Sequence, residues 1–127
     1  MAIKRDVMGV FTRSKQFPLI VKIGALGAVS LANACGGVSV SKVATGEIKV
    51  QLDQAYPRLL ACDVKILIPS AGAPSAPDVA VVDPANITAD GSLLIWTALN
   101  AAPTVAANLA SGAQISLIIT VSETDAN

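Results

Sequence analysis

Hydrophobic and polar positions alternate with a period of two along several stretches of this chain. Ile48, Val50 and Leu52 fall on one side, and Glu47, Lys49 and Gln51 on the other. That period belongs to a half-buried strand, because successive side chains of a strand point to opposite faces. The "VSVSKV" stretch before it also alternates, with Val38, Val40 and Lys42 on one side. "ATG" joins the two runs, so a hairpin is predicted. Val64, Ile66 and Ile68 alternate with Asp63, Lys65 and Leu67. Ile115, Leu117, Ile119 and Val121 alternate with Ser116, Ile118 and Thr120.

Other elements follow from shorter signals. "FPLIVKIG" is apolar, partly β-branched and stopped by glycine, whereas residues 25–34 show no clear period and fit a strand or a loop. Residues 79–83 form a short strand. Residues 92–99, "SLLIWTAL", form a continuous apolar run that predicts a strand covered on both faces, with Trp96 in the core or, alternatively, as the anchor of a binding face. A further short extended piece is expected around Ile87 and Thr88, and a loop with a weak helical turn after residue 100. In "DQAYPRLL", Pro57 removes a ladder donor and biases Tyr56 away from the helical region. A single turn or tight loop is expected there, with Tyr56 packed at a strand end and Leu59 and Leu60 tucked inward. Residues 69–78, "PSAGAPSAPD", are a loop by composition.

Eight or so short strands separated by turn residues predict an all-β fold, either a two-sheet antiparallel sandwich or a jelly-roll-like barrel. Residues 1–16 fit no strand period and are expected to be an extended N-terminal arm. Residues 17–127 are expected to form one domain, in keeping with the length of 127 residues.

Composition changes this picture in one respect. Only 14% of residues are charged and 3% aromatic, while 53% are hydrophobic. An average soluble protein carries about 25% charged residues. So little polar cover predicts an apolar surface that a neighbour occupies, and hence a subunit of something larger. The nine cations and nine anions balance, but Lys4, Arg5, Arg13, Lys15 and Lys22 cluster early against Asp6 alone, and none follows Lys65. No aromatics interleave with these charges and no nucleic-acid-binding motif is present, so direct nucleic-acid contact is not expected.

The chemistry of catalysis is thin. There is no histidine, which removes the commonest general acid–base and the usual partner of a nucleophile. The glycines lack phosphate-loop and dinucleotide spacing, and no calcium-loop pattern occurs. Asp83 and Asp90 sit beside turn formers and are expected to bond local backbone. Cys35 and Cys62 are too few for a disulfide framework or a metal cluster and are expected to behave as small apolar residues. No enzyme activity, cofactor, metal or small-molecule substrate is expected.

The apolar run "PLIVKIGALGAVSLANAC" invites another reading. Ala32-Asn33-Ala34 before Cys35 has the form of a lipoprotein signal, which would make the protein a bacterial surface lipoprotein or ligand-binding module. Lys22 interrupts the run, and Ala32 stands where that signal carries leucine. The run is also too short for a membrane span, which needs about 20 apolar residues.

One stretch carries a resemblance. "TGEIKVQLDQAYPRLLACDVKI" contains Thr45, Gly46, Ile48, Val50 and Leu52, then Asp53, Tyr56, Pro57, Leu59 and Leu60. This resembles a motif of small tailed-bacteriophage virion proteins, in which a "TG-x-[YI]-x-V-x-L" strand precedes an acid, an aromatic or proline, and a leucine pair. The later "GSLLIW" and "ISLIITV" strands fall where that group has strands, so the likeness spans about residues 36–122. The resemblance implies a head decoration (cement) protein that binds the major capsid protein lattice and bridges neighbouring subunits. It also implies a homo-oligomeric dimer or trimer located on the virion after assembly in the host cytoplasm. A tail, neck or baseplate protein is the alternative it leaves open. On that reading the arm would meet the capsid through Lys4, Arg5, Arg13 and Lys15, with Ile3, Phe11 and Phe17 as apolar contacts. The loop carrying Pro69, Pro74 and Pro77 would be a second contact.

Overall fold

β1 (Ser14–Ile23) begins earlier than the apolar pattern. The computed structural model describes residues 14–33, 36–67, 79–99, 104–109 and 111–123. β1 is followed by a 3₁₀ turn, Ala25–Gly27, and then β2 (Val29–Leu31), β3 (Ser39–Ala44), β4 (Glu47–Gln51), β5 (Arg58–Leu67), β6 (Val79–Asp83), β7 (Ser92–Ala98) and β8 (Gln114–Ser122). They form two antiparallel four-stranded sheets. The first has the order β2-β1-β8-β5 and the second β3-β4-β7-β6. Neither sheet closes on itself, so of the two expected architectures the sandwich is the one observed.

The core lies between the sheets, built from the alternating positions. Leu19, Val21 and Ile23 of β1 and Ile115, Leu117, Ile119 and Val121 of β8 face Ile48 and Val50 of β4 and Leu93 and Ile95 of β7. Each such side chain contributes roughly 1.5–3 kcal/mol by leaving water. Chain order alternates between layers at β2–β3, β4–β5, β5–β6 and β7–β8. The edges therefore approach pairwise, β2 against β3 and β5 against β6.

Pro18 shows how β1 tolerates a proline. In an antiparallel strand a residue's N–H and C=O point to the same side. The Pro18 carbonyl accepts a bond from Asn33 Nδ2 at 2.9 Å, and Ile20 N–H donates to Asn33 Oδ1 at 3.0 Å. The missing N–H of Pro18 thus falls on the side away from β8, where β2 pairs only as far as Val21. The Asn33 amide serves there as a one-residue strand.

The structure corrects several expectations. Ser14, Lys15 and Gln16 are in β1, paired with Ser122, Val121 and Thr120, so the strand takes in three residues expected to belong to the arm. Cross-strand pairing with β8 extends the strand past the point where the sequence alternates. Leu60 is exposed: the β5–β8 register shifts between Leu59 and Ala61, which makes Leu60 an extra residue of a bulge. Leu59 does pack against the core. Ile87 is buried, but residues 85–90 form turns and not a strand. Trp96 is 40% exposed, because β7 has the core on one face only.

The lipoprotein reading has a structural consequence. Cleavage before Cys35 would remove β1 and β2, two of the four strands of one sheet.

Candidate interaction surface

The motif residues build the fold. Gly46 has φ +70°, and a Cβ there would collide with the backbone nitrogen of Ala107. Its N–H donates to Asn108 Oδ1 at 2.9 Å, and its carbonyl accepts from Thr97 N–H at 2.9 Å. Thr97 Oγ1 donates to the Ala107 carbonyl at 2.7 Å. The β3–β4 turn is thereby stitched to β7 and to residues 104–109. In the β4–β5 connection, Tyr56 is buried, its ring edge-on to Phe17 at 5.9 Å. Its hydroxyl donates to Asp53 Oδ1 at 2.5 Å, and Lys15 Nζ bonds Asp53 Oδ2 at 3.1 Å.

This triad shifts three titrations. The Tyr56 hydroxyl bond, followed by that from Lys15, holds the Asp53 carboxyl below its ordinary value. The bond to Asp53 raises Lys15. Burial, and then the bond to Asp53, raises Tyr56. Each partner stabilises the protonation state it already has at neutral pH, so the triad is a clamp between β1 and the β4–β5 connection. Elsewhere, Asp83 Oδ1 accepts from Ala85 N–H, and Asp90 Oδ1 accepts from both Ser92 N–H and Ser92 Oγ. Both aspartates close turns, as expected. The Ser92 hydroxyl bond holds Asp90 below its ordinary value. Burial, then Asp63, raises the Cys62 thiol. Among the described residues no group of three or more acids and cysteines is placed to hold a metal ion, and no helix is long and apolar enough to cross a membrane.

The apolar surface lies elsewhere. On the outer face of the second sheet, cross-strand register places Val81 and Glu47 on either side of Trp96, Asp83 and Lys49 on either side of Leu94, and Val79 beside Ala98. Val79, Val81, Trp96, Ala98 and residues 104–106 line a groove of about 270 Å³. At the same end of the sandwich, Leu26 is 90% exposed with φ +57°. Its carbonyl accepts from Lys42 Nζ at 2.7 Å and from Asn108 Nδ2 at 3.4 Å. Val43, which the β3–β4 register leaves unpaired, is also exposed there, as are Leu99 and Val105. Six large exposed apolar side chains therefore share one end, against Leu60 and Ile118 elsewhere among the described residues. A second hollow, of about 370 Å³, lies on the outer face of the first sheet, but Asp63, Lys65 and Ser116 make it polar.

The residues singled out from the sequence fare unevenly. Phe17, expected as a partner contact, is 1% exposed and belongs to the core, because the odd positions of β1 face inward. Lys15 is engaged by Asp53 and stands 5.1 Å from the Phe17 ring centre. Ile3, Lys4, Arg5, Phe11, Arg13, Pro69, Pro74 and Pro77 lie outside the described residues. Two flanking positions are nonetheless fixed. The arm joins β1 at Ser14, paired with Ser122, at the end opposite Leu26. Leu67 and Val79, the described residues that flank the proline-rich segment, lie at the Leu26 and Trp96 end. Sequence reasoning missed Leu26 altogether, since nothing in "GALGA" marks a leucine in the left-handed region.

No protein-family model matches this chain, and no curated protein and no solved structure matches it either.

Proposed function

We propose that the chain is a non-enzymatic virion structural protein of a tailed phage, a decoration protein that binds the major capsid protein lattice and bridges and stabilises neighbouring subunits. The observation that carries this reading is the division of labour over the surface. The ionic and hydrogen-bonded clusters of the described residues are spent on turns and on the Lys15–Asp53–Tyr56 clamp. Of the eight large apolar side chains left exposed among the described residues, six are gathered at one end. Such a surface favours docking over chemistry. The virion assignment itself is supported by the resemblance of residues 36–122.

On this reading the basic arm, with Ile3, Lys4, Arg5, Phe11 and Arg13, meets acidic groups of the capsid at the Ser14 end. Several weak contacts to neighbouring subunits then add through avidity. Quantitative mass spectrometry of purified particles tests the assignment. Hundreds of copies per particle support a head decoration protein, a small fixed number assigns it to the tail or neck, and absence from particles overturns the reading.

A further inference from the structure

The exposed end holds a knob and a groove. The knob is Leu26. A non-glycine residue in the left-handed region costs about 1 kcal/mol or more, and here the side chain gains no burial in return, being 90% exposed. The conformation is nevertheless held by two bonds to the Leu26 carbonyl, from Lys42 and Asn108. The groove is the 270 Å³ hollow walled by Val79, Val81, Trp96 and Val105. Residues 104–109 connect them: Val105 lines the groove and Asn108 holds the knob.

We propose that this end is a self-association surface, where two copies of the chain dock reciprocally with Leu26 of each seated in the Trp96 groove of the other. Because knob and groove occupy one end of the same molecule, a two-fold arrangement satisfies both at once and closes the assembly. Charge supports a second copy as the occupant. The knob is flanked by a cation, Lys42, whose Nζ is 2.7 Å from the Leu26 carbonyl. The groove is flanked by an anion, Glu47, the cross-strand neighbour of Trp96. Reciprocal docking brings Lys42 of each copy to Glu47 of the other, a complementary pairing that favours this register.

Area supports the role of Leu26. Four strands about 4.8 Å apart and about six residues long give an outer face of roughly 400 Å², whereas a stable interface needs about 800 Å² per partner. A dimer interface of that size would draw on the Leu26 end as well as on the face. The proposal does not depend on the virion assignment.

The test uses the purified full-length protein. Sedimentation and light scattering at about 100 µM, above the dissociation constant of even a weak micromolar dimer, are expected to give twice the 12.8 kDa chain mass. Trp96 is the only tryptophan, so its emission should shift to the blue as concentration rises through the transition. Leu26→Lys and Val81→Asp, both at exposed positions, are each expected to weaken the dimer more than about tenfold while leaving the strand circular dichroism unchanged. Mixing the two variants should restore a heterodimer. In one half of that interface the introduced ammonium of one chain meets the introduced carboxylate of the other, and the second half keeps the native Leu26 and Val81.

A monomeric wild type, an assembly of more than two copies, a dimer indifferent to both substitutions, or a mixture that stays monomeric would overturn the proposal. A wild type that is monomeric alone but loses particle binding on Leu26→Lys would give this surface to the capsid instead.

Discussion

The Tyr56 hydroxyl donates to Asp53 Oδ1 at 2.5 Å while Lys15 holds the other carboxylate oxygen. The tyrosine–aspartate pair closes the β4–β5 connection over the end of the core, and the same bond is the largest cause of the lowered Asp53 titration. Tyr56→Phe should keep the ring in place and destabilise the protein by about 1 kcal/mol at neutral pH. The sign of the pH effect follows from the lowered value. The Asp53 contribution is present above its unfolded value of about 3.9 and is lost as pH falls through the lower folded one. Denaturant midpoints should therefore show the variant's deficit shrinking below about pH 4, and an unchanged deficit at about pH 2 would contradict this.

Tyr56 is the only tyrosine, so absorbance titration reads it alone. Burial and the bond to Asp53 raise its ionisation. The midpoint should lie above the value of about 10 for a free phenol. Stability from this group is complete below that value and is lost as pH rises through the folded one. Asp53→Asn should bring the midpoint down.

Gly46 and Gly36 offer a contrast in one residue type. At Gly46 the positive φ and the backbone of residues 106 and 107 leave no place for a Cβ. Gly46→Ala should cost about 3 kcal/mol or more. At Gly36 nothing among the described residues lies within 4 Å of an added Cβ, so Gly36→Ala should be neutral or stabilise by about 0.5 kcal/mol through the unfolded chain. Thermal melts of the two variants check the difference.

Deleting residues 2–13 should leave the sandwich folded, since β1 begins at Ser14, and should abolish attachment to particles if the arm meets the capsid. Phe17→Ala, a little further along the chain, should cost about 3–5 kcal/mol, because it removes a core ring and the edge-on contact with Tyr56. Equal melting behaviour of the two proteins would put the boundary of the domain elsewhere.

Much of the fold is legible in the chain. The alternation at Ile115, Leu117, Ile119 and Val121 locates β8, and the turn formers on either side of residues 79–83 bound β6. The failures have local causes. Ser14 and Gln16 are polar, so only the partner strand reveals that they belong to β1. Leu60 looks like core until the bulge turns it outward. Trp96 sits in an unbroken apolar run, which one-dimensional pattern cannot distinguish from two-sided burial. The groove is illegible because β6, β7 and residues 104–106 meet only through the sheet order. Leu26 carries no signal, since its exposure comes from a backbone conformation that its side chain does not favour.

Pro18 and Asn33 have a consequence wherever copies of this chain are concentrated. Among the described residues, the first half of β1 has no strand beside it on the side away from β8, and bare borders invite a stranger's backbone to zip alongside. A proline there withholds one donor, and an asparagine amide occupies the next two bonding positions. Crowded copies are thus discouraged from knitting into a filament along that seam, which leaves side-chain contacts to decide how they meet.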